Sequence, residues 1–562
     1  MKKIILNFFV IIISVNSVFC QDIEQILSDA DYFYENKYYR SAIQSYSKIL
    51  NIDENNSTAL IGRGKTYIEL NIPDSAKSDF ERALKINPRN DAAFYNLGRF
   101  YHYQNNFDNA LNFYFKATEI NEDSALYFLA IAQAYKDKNV PDSAFLFYDK
   151  TISVQPDYAD AYYYKAFYNY ELKNIDASYD DIEKGLEITS NDKYLLTLKA
   201  YLLSFQEYYS EALDISNLIL SENILFIPAL EIRAECYFIL DSLEDAISDA
   251  EFVYMQDTSN FRSVIILSWS NYYLSNFEKS IFYAEKGKLM DYYYIDFFTV
   301  KGLSLFYSQK YDEAITEFNE ALKLDPTKMD FYDYKIESIL QNNTKQSVFD
   351  ENNIFKDFNE SNFELMDKSV TDKDNKYFYK TLLANFFEDN TSLSIDEYFM
   401  LYYGQSVQND YAPYSKSDMK KMIRDEFSIG KYEETIKIGK ELLETDPFLI
   451  DAYQYIAYSY LYLNQYDNYE KYMIPYHGFM AGIMATGNGN SVNDAYTIIS
   501  VADEYSLLYF LGLFSTEQSL IKKKKNYYDV FQAKDYYGNT KEVYFNITKP
   551  YKTLSNIFLK KK

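Results

Sequence analysis

"DSAKSDFERALKINP" (residues 74–88) and "DEAITEFNEALKLDP" (residues 312–326) are near copies of one another. Ala76 and Ala314 lie seven intervals of 34 residues apart. Stepping at that interval gives Ala42, Ala76, Ala110, Ala144, Ser178, Ala212, Ala246, Ser280 and Ala314. A second column gives Ala30, Gly64, Gly98, Ala132, Ala166, Ala200, Ala234, Ser268 and Gly302. Two columns of small residues, kept in register without insertion or deletion, mark a tandem repeat.

A small residue recurring once per helix lets two helices cross closely. Bulky columns fill the surrounding space: Tyr67, Tyr101, Tyr135 and Tyr237 on the first helix, and Tyr46, Phe80, Tyr114, Tyr148 and Phe318 on the second. Pro88, Pro156 and Pro326 close repeats, where a helix must stop. The pattern resembles the tetratricopeptide repeat (TPR), with nine repeats over 23–328 and a capping helix over 329–342. It departs from the family in two ways. Leu, Phe, Tyr, Ile or Val replaces the first-helix Trp, and repeats five to eight carry Ile182, Ser216, Ala250 and Ala284 in place of the second-helix aromatic. The predicted fold class is mainly α, a TPR-type α-α superhelix (a solenoid) followed by a small α+β C-terminal domain.

The resemblance implies a concave groove lined by the first helices, with repeat positions 2, 5, 9 and 12 facing it, and protein or peptide partners. In repeats one to four these sixteen positions hold two aromatics, Tyr34 and Tyr95. In repeats five to nine the twenty positions hold nine: Tyr163, Phe167, Tyr170, Tyr194, Tyr201, Phe238, Trp269, Tyr272 and Phe306. Clustered, partly exposed aromatics anchor protein interfaces. The alternative is that these rings repack where the second-helix aromatic is missing. The family's basic carboxylate clamp is absent, since Leu27, Asp31 and Ile61 stand where basic or amide groups are needed.

Charge narrows the partners. The chain carries a net charge of −27, and the repeats alone hold 28 basic against 48 acidic residues. Phosphate backbones are repelled by such a surface, which excludes sequence-independent nucleic-acid binding, whereas a basic partner is steered toward it.

"MKKIILNFFVIIISVNSVFC" (1–20) reads as a signal peptide, with a Lys2–Lys3 n-region and an apolar stretch too short to span a bilayer. Cleavage before Gln21 places Val18 and Cys20 at −3 and −1. The alternative is lipidation of Cys20, against which Phe19 is larger than lipoprotein signals use. The expected location is the periplasm or envelope of a Gram-negative-type bacterium. No later segment has the apolar length of a membrane helix. Cys236 then remains as the one cysteine, so no internal disulfide is expected. "DSA" at 74–76, 123–125 and 142–144 reads either as a bacterial O-glycosylation acceptor or, more plainly, as helix capping.

Past residue 342 the period breaks. Residues 343–375 read as a tether or loosely packed lead-in, and 376–562 as a C-terminal α+β domain. Gly430, Tyr432, Pro447, Tyr453, Ala457 and Tyr460 fit one more repeat-like pair. "AYTIISV" (495–501) is strand-like and "ADEYSLLYFLG" (502–512) helix-like. "SLIKKKKNYYDVFQA" and "TKEVYFNI" flank "DYYGNT" as a hairpin, and "KPYKTLSNIFLKKK" is a closing amphipathic helix. "TSLSIDEYFMLYYGQSVQNDYAPY" (391–414), "GNGNSVNDAYTIISVADEYSLLYFLG" (487–512) and "VYFNITKPY" (543–551) resemble the domain of unknown function 4919. That resemblance covers 350–562 and implies no known activity. The family usually has Asp where this chain has Asn488.

"TGNGNS" (486–491) is expected to be a turn whose glycines permit positive φ. Neither His102 nor His477 has a partner at metal-ligand spacing, and no phosphate-binding loop or nucleophile elbow is present. No cofactor or metal is expected, and the chain reads as a non-enzymatic adaptor. The alternatives are an enzyme with a site near His477 and the 487–490 loop, and a lipid-anchored subunit of an envelope complex. The run Lys522 to Lys525 reads as an acidic-surface docking site, a contact with the acidic repeats, or a solvated strand edge.

Overall fold

The computed structural model describes residues 23–347, 362–412 and 417–560. The stretch read as a signal peptide, Cys20 included, lies outside these residues. The chain divides into two compact units, Met1–Ser242 and Leu243–Lys562.

The first unit is a series of antiparallel helix pairs. Its helices are α1 (residues 23–35), α2 (Tyr39–Ile52), α3 (Ser57–Glu69), α4 (Pro73–Ile86), α5 (Asp91–Tyr103) and α6 (Phe107–Ile120). It continues with α7 (Ala125–Asp137), α8 (Pro141–Val154), α9 (Ala159–Glu171), α10 (Ile175–Ile188), α11 (Lys193–Phe205), α12 (Tyr209–Glu222) and α13 (Ile227–Ile239). Consecutive first helices touch one another, as α3 with α5, α7 with α9 and α11 with α13, which places them on the tighter, inner side of the stack. Both small columns are buried as expected, with Ala42, Ala76, Ala110, Ala166 and Ala200 fully enclosed. Cys236 is buried and unbonded, and burial pushes its thiol up to about 12.

The backbone repeats as faithfully as the sequence. The residue between the two helices of each pair is left-handed at Lys37, Asn71, Asn105, Asn139, Lys173, Glu207, Asp241, Ser275 and Gln309. None of the nine is glycine, and within each unit the packed helix pairs impose this conformation on side chains that ordinarily avoid it. The "DSA" segments do not cap by side chain. Asp74 and Asp142 fall in first turns behind Pro73 and Pro141, and Ser124 is an N-cap residue whose hydroxyl makes no cap bond.

The second unit opens with α14 (Leu243–Gln256), α15 (Phe261–Tyr273), α16 (Phe277–Met290), α17 (Ile295–Tyr307), α18 (Tyr311–Leu324) and α19 (Met329–Ser347). Then follow α20 (Asn362–Thr371), α21 (Tyr379–Glu388), α22 (Ile395–Gln405), α23 (Ser417–Ser428), α24 (Tyr432–Thr445), α25 (Ile450–Tyr462) and α26 (Tyr466–Met484). After β1 (Tyr496–Thr497) come α27 (Ala502–Phe510), β2 (Phe514–Lys523), β3 (Asn526–Lys534), β4 (Thr540–Asn546) and α28 (Thr548–Lys560). The sheet order is β1-β4-β3-β2, with β1 parallel to β4 and the other pairs antiparallel.

Four sequence expectations change here. The helix expected to cap the repeats does not face solvent. Beyond α18, α19 packs on α22 and α26, with Tyr332 edge-on to Tyr469 at 5.4 Å and Lys335 paired to Glu470 at 2.6 Å. One apolar core therefore runs from Phe298 to Ile547. Within the expected tether, α20 buries Met366 and Val370 in that core. Two repeat-like pairs are present where one was read: Gly430 and Asn464, themselves 34 residues apart, are the left-handed links of α23–α24 and α25–α26. Finally, the stretch read as one strand, "SLIKKKKNYYDVFQA", is two strands with a turn at the lysines, while the solvated-edge reading of the run holds for Lys522 and Lys523. Lys522 and Lys523 end the exposed edge strand β2, and Lys524 is left-handed before β3 begins.

Candidate functional site

The inner face of the first unit changes character along its length. On α9 and α11, Tyr163, Phe167, Tyr170 and Tyr201 are half-buried and joined in one ring network. Tyr163 stacks on Phe167 with centroids 6.2 Å apart, and Phe167 meets Tyr170 at 6.3 Å. Tyr170 lies edge-on to Tyr201 at 5.4 Å and donates its hydroxyl to that of Tyr201 at 3.1 Å. The network continues through Tyr194, which is 48 % exposed, to Phe226 on the approach to α13. Phe238, on α13, is half-buried. These rings are only partly buried, the property expected of interface anchors.

The preceding repeats put polar groups on the same face. A cavity of about 400 Å³ between α5 and α7 is lined by Tyr95, Arg99, His102, Tyr103, Gln133 and Asp137. His102 Nε2 lies 2.7 Å from an Asp137 oxygen, and Arg99 lies 3.7 Å from Glu69. Lys65 sits over the Tyr34 ring at 4.8 Å, and burial together with Arg99 lowers its pKa. Lys65, Arg99 and Gln133 occupy the repeat column that continues as Phe167 and Tyr201. Reading only the aromatics in that column misses the polar half of the face.

In the second unit, Trp269 and Tyr272 meet edge-on at 5.7 Å, and Tyr272 reaches Tyr307 at 6.1 Å. Phe306 joins through Tyr307 at 5.3 Å and also meets Tyr334 at 5.5 Å. All three are half-buried against the continuous core. Of the nine rings expected to face the groove, Tyr163, Phe167, Tyr170, Tyr194 and Tyr201 form one linked group and Trp269, Tyr272 and Phe306 another. Burial raises the Tyr163 and Tyr272 phenols, so they act as neutral hydrogen-bonding groups.

The second expected site, His477 with the glycine loop, is closed. The His477 ring is 12 % exposed, lies edge-on to Phe510 at 5.3 Å and sits 3.5 Å from Asp333. Burial lowers its pKa to about 4, so it is a neutral core imidazole. In the loop, the amides of Asn488 and Gly489 both donate to the Asp494 carbonyl, at 3.0 and 2.7 Å, and Asn490 N donates to Asn488 Oδ1 at 3.0 Å. Gly489 alone has positive φ, at 70°, and a side chain on Gly487 would strike the Asp494 carbonyl. The loop's polar groups are turned on one another and on β4, where Tyr544 N donates to Gly489 O at 2.9 Å.

Among the described residues no group of three or more His, Cys, Asp or Glu is placed to hold a metal ion, and no helix is long and apolar enough to cross a membrane.

Residues 73–134 and 297–328 match the tetratricopeptide repeat, and residues 364–556 match the domain of unknown function DUF4919. No curated protein matches. A TPR protein from Parabacteroides merdae is 21 % identical over 44 % of this chain and 98 % of its own, with a TM-score of 0.34. YrrB, described as a TPR protein with an unusual peptide-binding site, is 23 % identical over 31 % of this chain and 90 % of its own, with a TM-score of 0.25. PilW, a type IV pilus biogenesis factor, is 18 % identical over 37 % of this chain and 95 % of its own, with a TM-score of 0.32. The chain carries tetratricopeptide repeats and, C-terminal to them, a DUF4919 domain.

Proposed function

We propose that the protein is an exported, non-enzymatic adaptor of the cell envelope that binds protein or peptide partners through the inner faces of its repeats. Tetratricopeptide repeats generally serve protein interaction, and the reading rests on one observation. The rings of Tyr163, Phe167, Tyr170, Tyr194 and Tyr201 form a continuous, half-exposed network on the inner side of the helix stack. A bound segment lays apolar side chains on that network and is held by burial. The polar cavity around Arg99 and His102 supplies hydrogen bonds that set its direction. The acidic surface of the repeats favours partners with basic character. The closed turn at 487–490 and the neutral His477 speak against an enzyme centred there.

Affinity capture from envelope extracts tests this. Wild type is compared with Tyr163→Ala/Tyr194→Ala in the first unit and Trp269→Ala/Tyr272→Ala in the second, each checked for retained helicity by circular dichroism. The expected result is a partner held by wild type and depleted about tenfold or more by at least one pair. The same partners on all three proteins move binding away from the repeats. The mass of the mature N-terminus in those extracts separates cleavage before Gln21 from lipidation of Cys20.

A further inference from the structure

The DUF4919 domain contains a cleft that the repeats do not use. It lies among α23, α25 and α27 and encloses about 580 Å³, within the range of small-ligand sites. One wall is α23, where Lys420 and Arg424 stand one helical turn apart. In a chain of net charge −27, neither makes an ion pair or hydrogen bond among the described residues. The opposite wall is α27, which presents Tyr505 and Tyr509, 50 % and 57 % exposed. Asp451 and Gln454 line the cleft from α25, and Asp451 already accepts the Ser506 hydroxyl.

These groups specify a ligand. Both cations act on Asp451 through space, and Lys420 also on Asp503, but neither is hydrogen-bonded to them, so each can still take an anion at charge-assisted hydrogen-bond strength. Two solvent-facing phenol rings call for a flat apolar face. A carboxylate beside an amide calls for several hydrogen-bond donors on the same molecule. Asp451 also disfavours a ligand carrying many negative charges, such as an acidic peptide, because like charges within a few ångströms repel. We propose that this cleft binds an acidic saccharide. Its carboxylate sits on Lys420 and Arg424, its ring C–H faces lie on Tyr505 and Tyr509, and its hydroxyls bond to Asp451 and Gln454. Lys420 also borders a neighbouring cleft of about 490 Å³, but Asp410, Glu444, Asp446 and Asp503 line it, so the acidic group stays on the Arg424 side.

Isothermal titration of the full chain tests the assignment. The panel is di- and trisaccharides of glucuronate, galacturonate and mannuronate, the matching neutral sugars, citrate, and a short oligoglutamate peptide. At least one uronate is expected to bind, with its neutral counterpart about tenfold weaker or more. Lys420→Met/Arg424→Met is expected to weaken that uronate about tenfold or more, and Tyr509→Ala to weaken it several-fold, roughly as one lost stacking contact. These side chains lie on a cleft surface, and circular dichroism confirms that each variant is folded. Lys420→Gln/Arg424→Gln repeats the test if the methionine pair aggregates. The proposal is overturned if no uronate binds, or if neutral sugars, citrate or the peptide bind as well as the best uronate. It is equally overturned if the folded variants bind as wild type does.

Discussion

Phe80→Ala is expected to destabilise the first unit by about 4 kcal/mol, whereas Phe80→Ile combined with Gly64→Ala is expected to lose far less than its two parts added together. Phe80 is fully buried, and a Cβ built on Gly64 would overlap its ring. The same relation holds between Gly98 and Tyr114, and between Gly302 and Phe318, where the added atom would lie 2.8 Å from the ring. Repeats five to eight, which lack the second-helix aromatic, have Ala166, Ala200, Ala234 and Ser268 in that column and never glycine. Where glycine stands in the first column a ring fills the crossing from the second, so volume is exchanged there, whereas Ala200/Ser216 is small on both sides. Ala166 and Ile182 pack in one cluster and show the alternative solution within the same unit. Alanine also sits beside a tyrosine in Ala30/Tyr46 and Ala132/Tyr148, so Gly64→Ala alone is expected to cost only about 1 kcal/mol. Phe80→Ile alone leaves a cavity and is expected to cost about 2 kcal/mol. In the double variant the new methyl enters the space the ring has left. Native-state hydrogen exchange of the α3 and α4 amides in wild type, both single variants and the double variant measures the coupling. Additive losses would sink the volume-exchange account.

That crossing was legible in the sequence because nine copies average out the noise of any one helix. The left-handed links were not, because Lys, Asn, Glu, Asp, Ser and Gln share a conformation set by the helices on either side. The second C-terminal pair escaped notice for a related reason: α23 ("SDMKKMIRDEFS") has Ile423 where the small column falls, seven residues before the link. The polar run after residue 342 concealed α20, a helix of only ten residues that buries Met366 and Val370. Ring positions could be read from the repeat columns, but their linkage depends on side-chain geometry. The cleft between α23 and α27 joins Lys420 to Tyr505, residues too far apart in sequence for any spacing rule to connect. Likewise, His477 and "TGNGNS" stood out as rare residues, and the fold spends both on packing.

The second large effect concerns a buried proton. Glu504→Gln is expected to make the second unit more stable at neutral pH and to flatten its loss of stability in alkali. Glu504 is fully enclosed on α27, with the Asp529 carboxyl of β3 beside it and Gln518 donating to Asp529 at 2.9 Å. As two anions they would repel in a dry site; with a proton on Glu504, that group donates to Asp529. Burial, reinforced by Asp529, pushes Glu504 up to about 10. Between its ordinary value of 4.5 and that value, the folded chain keeps a proton that the unfolded chain releases, so stability falls as pH rises through the window. At about 1.4 kcal/mol per pH unit, the loss accumulated by pH 7 is at most about 3 kcal/mol. Asp503, pushed up to about 7 by burial, adds a loss of the same sign over pH 4 to 7. His477 acts oppositely: held neutral down to about 4, it removes stability as pH falls below 6.5. Above about pH 8 Asp503 and His477 no longer titrate, which leaves Glu504 as the main source of slope among these three groups. Glutamine keeps the shape and a donor toward Asp529 while carrying no proton to lose. Urea unfolding at several pH values from 8 to 9, followed by the fluorescence of Trp269, the chain's single tryptophan, reads this unit directly. Wild type is expected to weaken across that range and Glu504→Gln to stay level. An unchanged slope would place the proton elsewhere, and Asp529→Asn would then be the variant to abolish it.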